Sequence, residues 1–361
     1  MAEADLELAA PSEIVDPTTS RRGFLAAGAA GLTGVALGVV SWEPVFAAGP
    51  AGAASVAPIT ADKRGFLVSR VVLEIDQKES GFLQSAAGGN ATADVVNEKL
   101  GADGIARKHL AGVKYEDITV NAGTGMSKGF YDWVKASFSP SGFQRKSGAI
   151  IAADFNLKEL QRINFFNALI TEVGMPALDA ASKDAAKMTI KWAPESTRMG
   201  GKLGERVGAA NQKVAKWMPS NFKLLLDGLD TSKVNKIDAL VIKQKVSEFA
   251  IGDNRDFEGQ PTTIDFPNLK LTLSESSADT WVKWHEDFVI NGNNDQAHEK
   301  KGSLSYLTTD LKTELFRLDF TGAGIFKLDP DPWPSPENIR RVSAELYVEQ
   351  MTFTFQGGGV T

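Results

Sequence analysis

The chain has 361 residues, 43% hydrophobic and 23% charged, with a formal net charge of −6. That balance is the balance of a globular protein with ample material for large cores, and the acidic sum argues against nucleic-acid binding. With no cysteine and only three histidines, the chain has no disulfide, thiol nucleophile or cysteine-bound metal, and few candidates for acid–base catalysis.

Residues 1–19 are polar and acidic, and Ser20, Arg21, Arg22, Gly23, Phe24 and Leu25 follow. Paired arginines, one spacer and Phe-Leu fit a twin-arginine export motif. From Gly23 to Val40 no residue is charged and Gly and Ala dominate. Val45, Phe46 and Ala47 offer a small-residue cleavage site, so residues 1–47 are expected to be a twin-arginine signal peptide. The alternative is an uncleaved anchor spanning Gly23 to Ser41, which would be the chain's one membrane contact; its Gly/Ala content makes it a poor one. Residues 1–47 hold six acids and two arginines, so the remainder is nearly neutral. The expected location is therefore the periplasm, cell envelope or exterior.

Residues 48–65 are expected to be a flexible lead-in, residues 66–199 a first β-domain, residues 200–221 a linker with a helical pattern over Arg206–Met218, and residues 222–356 a second β-domain. The first half opens on an apolar, β-branched run, Phe66–Ile75, and period-two alternation predicts strands over Tyr115–Val120, Lys187–Trp192, Leu269–Leu273 and Ala344–Phe355. One helix is predicted in each half, over Lys128–Phe138 and Ala278–Phe288, the second capped by Ser276 or Ser277. The fold class is mainly β with a helix per repeat (α+β), a small barrel or sandwich in each half.

The halves carry an internal repeat. Leu160, Arg162, Phe165 and Ala168 align with Leu315, Arg317, Phe320 and Ala323; Trp133 with Trp281; and Gly148 with Gly302, in the same order.

The first half also resembles a known family. Gly112, Lys114, Tyr115, Asp117, Ile118 and Thr119 resemble a strand of the phage tail-tube protein family. Phe130–Val134 resembles its Leu-Tyr-Asp-Trp-Val helix, Ser147–Asp154 its next strand, Asn167-Ala168 its Asn-Ala step, and Leu178-Asp179-Ala180 a short turn before its closing strand. The second half keeps Trp281, Gly302, Phe320 and Ala323 but loses the Lys-Tyr-x-Asp pattern. The resemblance implies two tandem tail-tube-like β-barrels. In that family six barrels form a ring, their sheets join into an inner wall, and rings stack into tubes of contractile phages and phage-tail-like injection systems. Two fused barrels would give trimers that mimic hexamers, associating with themselves and with other tail-like components. The segment after Asp76 and Ala86–Asn90 would supply contacts between rings. Family members are shorter and carry no export signal, so the leader sets this chain apart.

No catalytic, cofactor-binding or metal-binding residue is nominated. His285, Glu286 and Asp287 are adjacent, and successive helical residues point about 100° apart, so they cannot converge on one ion. His298-Glu299 reads as an exposed loop and His109 as a surface residue. Gly123-Thr124-Gly125 reads as a hairpin turn, and Asp329–Pro334 as a stiff connector. Two other function classes stay open: a monomeric exported module for adhesion or glycan binding, marked by exposed tryptophans, and a hydrolase using carboxylates such as Asp319 and Glu345.

Overall fold

A computed structural model describes residues 67–99, 104–139, 142–201, 204–208, 214–250, 256–332 and 339–356. Residues 1–47, the expected signal peptide, and residues 48–65, the expected lead-in, lie outside the described residues. The chain is mainly β, with one short α-helix in each half among the described residues.

The first half comprises β1 (Arg70–Ile75), β2 (Lys78–Leu83), β3 (Ser85–Ala87), β4 (Ala91–Lys99), β5 (Ala106–Tyr115), β6 (Ile118–Ala122), α1 (Lys128–Ala136), β7 (Lys146–Ala153), β8 (Glu159–Met175), β9 (Leu178–Asp179), β10 (Met188–Ala193) and β11 (Ser196–Gly200). The second comprises β12 (Phe222–Leu226), β13 (Val234–Ile237), β14 (Leu240–Ala250), β15 (Phe257–Asp265), β16 (Leu269–Ser274), α2 (Asp279–His285), β17 (Lys300–Leu307), β18 (Glu314–Pro330) and β19 (Arg341–Phe355).

All pairing is antiparallel, and the halves share one plan. The first sheet runs β2-β1-β7-β8-β10-β6-β3 and the second β12-β17-β18-β19-β16-β13-β9. Six strands correspond in order: β1/β12, β7/β17, β8/β18, β10/β19, β6/β16 and β3/β13. The separate strand β11 takes on β8 the place that the end of β19 takes on β18. Even the irregularities recur. Lys146 faces Ala168 and Gly148 faces Phe165; Lys300 faces Ala323 and Gly302 faces Phe320. The extra residue in β8 puts Asn167 at φ 51°, and its counterpart Gly322 sits at φ 66°. A left-handed backbone suits Gly and is tolerated by Asn, so both bulges use permitted residues. A second bulge leaves Thr171 unpaired against β10 and Phe326 unpaired against β19. Arg162 pairs with Glu159 at 3.1 Å, and Arg317 with Glu314 at 3.9 Å.

The alternating strands bury one face as predicted. In β10, Met188, Ile190 and Trp192 are buried while Thr189 and Lys191 are half-exposed. The Tyr115–Val120 run is not one strand: β5 ends at Tyr115, and the chain restarts at Ile118 in another sheet. Helix α1 starts at Ser127, whose Oγ accepts from Phe130 N. It buries Phe130, Tyr131, Trp133 and Val134. Helix α2 lacks the predicted serine cap. Its N-cap is Ala278, and Ser277 Oγ donates to Ser274 O within a preceding 3-10 turn. The helix ends in a π turn over Glu286–Ile290.

The connector differs from its sequence reading. Among its described residues there is no helix. Glu159 N donates to Glu205 O, Gly204 N to Glu159 O, and Val207 N to Leu157 O, and Arg206 forms an isolated antiparallel bridge to Lys158, so Gly204–Val207 run beside the start of β8. Trp217 is buried against Phe316 and Tyr306, with ring centroids 4.9 and 5.8 Å apart. Tyr131 of α1 stacks on Phe355 at 3.8 Å. One hydrophobic core therefore runs through both halves.

Candidate functional site

Beyond the end of β7, β8 has a bare edge, and the second half covers it. Strand β14 pairs there with Leu240 opposite Met175, Val241 opposite Gly174, Ile242 opposite Val173 and Lys243 opposite Glu172. Beside it, β13 takes β9, with Ile237 opposite Leu178. The β14–β15 hairpin of one half thus extends the sheet of the other, satisfying a backbone edge that would otherwise seek another chain.

Side chains fix this hairpin. Arg145 Nη2 donates to Glu258 Oε1 (2.9 Å) and Gly259 O (2.6 Å), and its Nε lies 3.3 Å from Glu195 Oε1. Glu195 in turn accepts from Gly259 N. Nearby, Tyr115 Oη donates to Asp256 Oδ1 and accepts from Arg198 Nη1. Arg145→Ala removes charged hydrogen bonds and leaves Glu195, only 15% exposed, without its counter-ion. The expected loss is about 2 kcal/mol of stability, read as a lowered denaturation midpoint at unchanged slope.

The second half has the corresponding bare edge, and no strand among the described residues pairs on it. From Gly324 to Pro330, β18 pairs there with β19 alone. Phe326 is 41% exposed. The matching hairpin, β4–β5, forms a two-stranded sheet joined to neither large sheet. Its side chains are largely exposed, with Val95, Val96 and Leu110 each more than half so. A lone hairpin is marginal in water.

The residues weighed for chemistry do not converge. Among the described residues no group of three or more His, Asp or Glu side chains is placed to hold a metal. His298 Nδ1 lies 2.6 Å from Asp295, and His109 Nε2 lies 3.4 Å from Glu98. Asp319 faces Thr352 and Glu345 faces Lys327. Seven residues of β19 therefore separate the two acids, roughly 23 Å along the strand, and they do not share a cleft. Trp133, Trp192, Trp217, Trp281 and Trp284 are all buried, so none is an exposed stacking platform. Gly123–Gly125 links β6 to α1 rather than closing a hairpin, and Thr124 Oγ1 donates to Ala215 O. The Asp329–Pro334 connector starts inside β18; Trp333 and Pro334 lie outside the described residues.

The two halves thus share pairing order and recurring bulges, with the edge of the first covered by β14. Residues 68–197 match the T4-like virus tail tube protein gp19 family. No curated protein matches the chain. Among solved structures, the sheath/tube terminator of the PVC extracellular contractile injection system is 22% identical over 39% of this chain and 100% of that chain, with a TM-score of 0.35. The anti-feeding prophage tube-terminating cap is 20% identical over 40% of this chain and 100% of that one, with a TM-score of 0.34. Hcp1 from Flavobacterium johnsoniae is 17% identical over 37% of this chain and 97% of that one, with a TM-score of 0.25.

Sequence reasoning did not find the Arg145, Glu195 and Glu258 cluster or the bare edge of β18. Alternation reports which face a strand buries, not which edge it offers.

Proposed function

We propose that the chain is a structural, self-assembling subunit made of two tandem tail-tube-like β-barrels, domain 1 over residues 66–199 and domain 2 over 222–356. It forms rings, pseudo-hexameric trimers or tubes of a phage-tail-like structure, and associates with itself and with other tail-like components. The observation that carries this reading is the second sheet. It repeats strand order and bulges of a first half whose residues 68–197 match the tail-tube family. The Arg21-Arg22 motif and the uncharged stretch after it support export by the twin-arginine route. The function rests on backbone edges rather than on catalytic residues.

Negative-stain electron microscopy with mass photometry on the chain freed of residues 1–47 tests the proposal. Rings or tubes with a central hole are expected. Particles of one-chain mass that persist at high concentration would overturn it.

A further inference from the structure

The junction between the halves is made once inside the chain, and both of its sides exist a second time with no strand paired to them among the described residues. Counting from the shared bulge, Glu172–Met175 of β8 correspond to Lys327–Pro330 of β18. The hairpins match just as closely. Register skips between Ala93 and Val95 in one and between Gln244 and Val246 in the other, so Gly89–Thr92 correspond to Leu240–Lys243. Val173, Met175 and Ile242 are buried where the junction is made, whereas their counterparts are less so: Leu328 is half-buried, and Pro330 and Ala91 are exposed. Gly89, the counterpart of buried Leu240, is itself buried, against Ile118 and Ile163.

We infer that β4 of one copy of this chain pairs antiparallel with the end of β18 in the next copy. Thr92 lies opposite Lys327, Ala91 opposite Leu328 and Asn90 opposite Asp329. The inference rests on the self-assembly proposed above and names its interface.

The side chains support a second copy as the occupant. Within the chain, Arg145 holds Glu258. Arg145 precedes Lys146 and so corresponds to Glu299 before Lys300; Glu258, opposite Phe249, corresponds to Arg107, opposite Glu98. Both signs are reversed, so the pair between copies is again attractive. The crossed combinations are not: Arg145 would face Arg107, and Glu299 would face Glu258. Each hairpin is thereby directed to its own edge, specificity built on repulsion as well as attraction. The rim changes in step. Tyr115 and Asp256 correspond to Phe266 and Ile105, so a polar contact becomes an apolar one. Glu299 is held in place by Tyr347, whose Oη donates to it at 2.8 Å. Burial, with the Glu299 carboxylate adding to it, pushes that phenol up to about 12, so it stays protonated. The contact is head-to-tail, so repetition closes a ring or extends a filament.

Charge exchange in the full chain tests this. Glu299→Arg and Arg107→Glu are each expected to weaken association about tenfold, read by mass photometry across a dilution series. The double variant E299R/R107E restores association, because every interface then carries the exchanged pair. Cysteines give an independent reading in a chain that has none. Facing residues lie about 4.5–5.5 Å apart, within disulfide reach. Mixed N90C and D329C chains should form a covalent dimer on mild oxidation, and N90C with D319C should not. Rings that form without this cross-link and ignore the charge changes would overturn the pairing and leave the assembly reading standing. Cross-linked pairs without rings or tubes would keep the pairing and overturn the assembly reading. A chain that stays single and uncross-linked would overturn both.

Discussion

Replacing either Gly148 or Gly302 with alanine is expected to destabilise the protein by about 3 kcal/mol, at the upper end of ordinary overpacking costs. A Cβ on Gly148 would stand 2.0 Å from Glu74 O and 2.8 Å from the Phe165 ring; on Gly302 it would stand 2.4 Å from Leu225 O and 2.6 Å from the Phe320 ring. The nearest atom in both cases is a backbone carbonyl of the paired strand, which cannot rotate away as a side-chain tip does. Strand β1 or β12 must therefore shift off its neighbour, disturbing the ladder on both sides. The two substitutions should cost similar amounts because they break the same contact in two copies. Gly112→Ala serves as the control. Its Cβ would meet nothing within 4 Å, and the change should stay within about 0.5 kcal/mol. Chemical denaturation of the three variants checks this. Tolerance of alanine at position 148 or 302 would mean that the Gly-over-Phe contact does not hold the strands in register.

Those glycines also mark how much of the fold is legible in the sequence. Gly148 and Gly302 align by sequence alone because each sits at a fixed distance from an apolar strand, and the fold puts both opposite the aligned Phe165 and Phe320. Strands with strict alternation, such as Met188–Ala193 and Leu269–Ser274, are readable because one face is buried. Three features are not. Arg206–Met218 has a helical pattern, yet at the start of the segment hydrogen bonds join Glu205 and Val207 to the start of β8, and none of its described residues is helical. Tertiary pairing there overrides local pattern. The alternation through Tyr115–Val120 hides a change of sheet at Glu116 and Asp117, because both strands keep the same period. The exchange of β14 onto β8 leaves no trace in periodicity at all. Its signature lies in single charged residues, Arg145 and Glu258, whose meaning depends on a contact 113 residues away in sequence.

Trp217→Ala is expected to cost about 4 kcal/mol, the range of a large aromatic deleted from a packed core. The residue lies between the halves in sequence and is 3% exposed. Its ring packs on Phe316 and Tyr306 of the second half, while its carbonyl accepts from Ala186 N of the first. The indole N–H has no partner among the described residues, so the loss is one of packing and not of a hydrogen bond. A sequence-level linker would tolerate this change within the range of surface substitutions. A residue that belongs to a shared core would not. Under the proposed assembly the loss would reach the particles as well. The β14–β15 hairpin can extend the first sheet only while the second half is docked, and the outward edge of β18 is held at a fixed orientation only by the same docking. Denaturation followed by tryptophan fluorescence should therefore show a lowered midpoint for this variant, and mass photometry should show fewer assembled particles at the same concentration. A variant with the parent midpoint would mean that the halves are tied by the strand exchange alone, and Trp217 would then be a passenger in the connector.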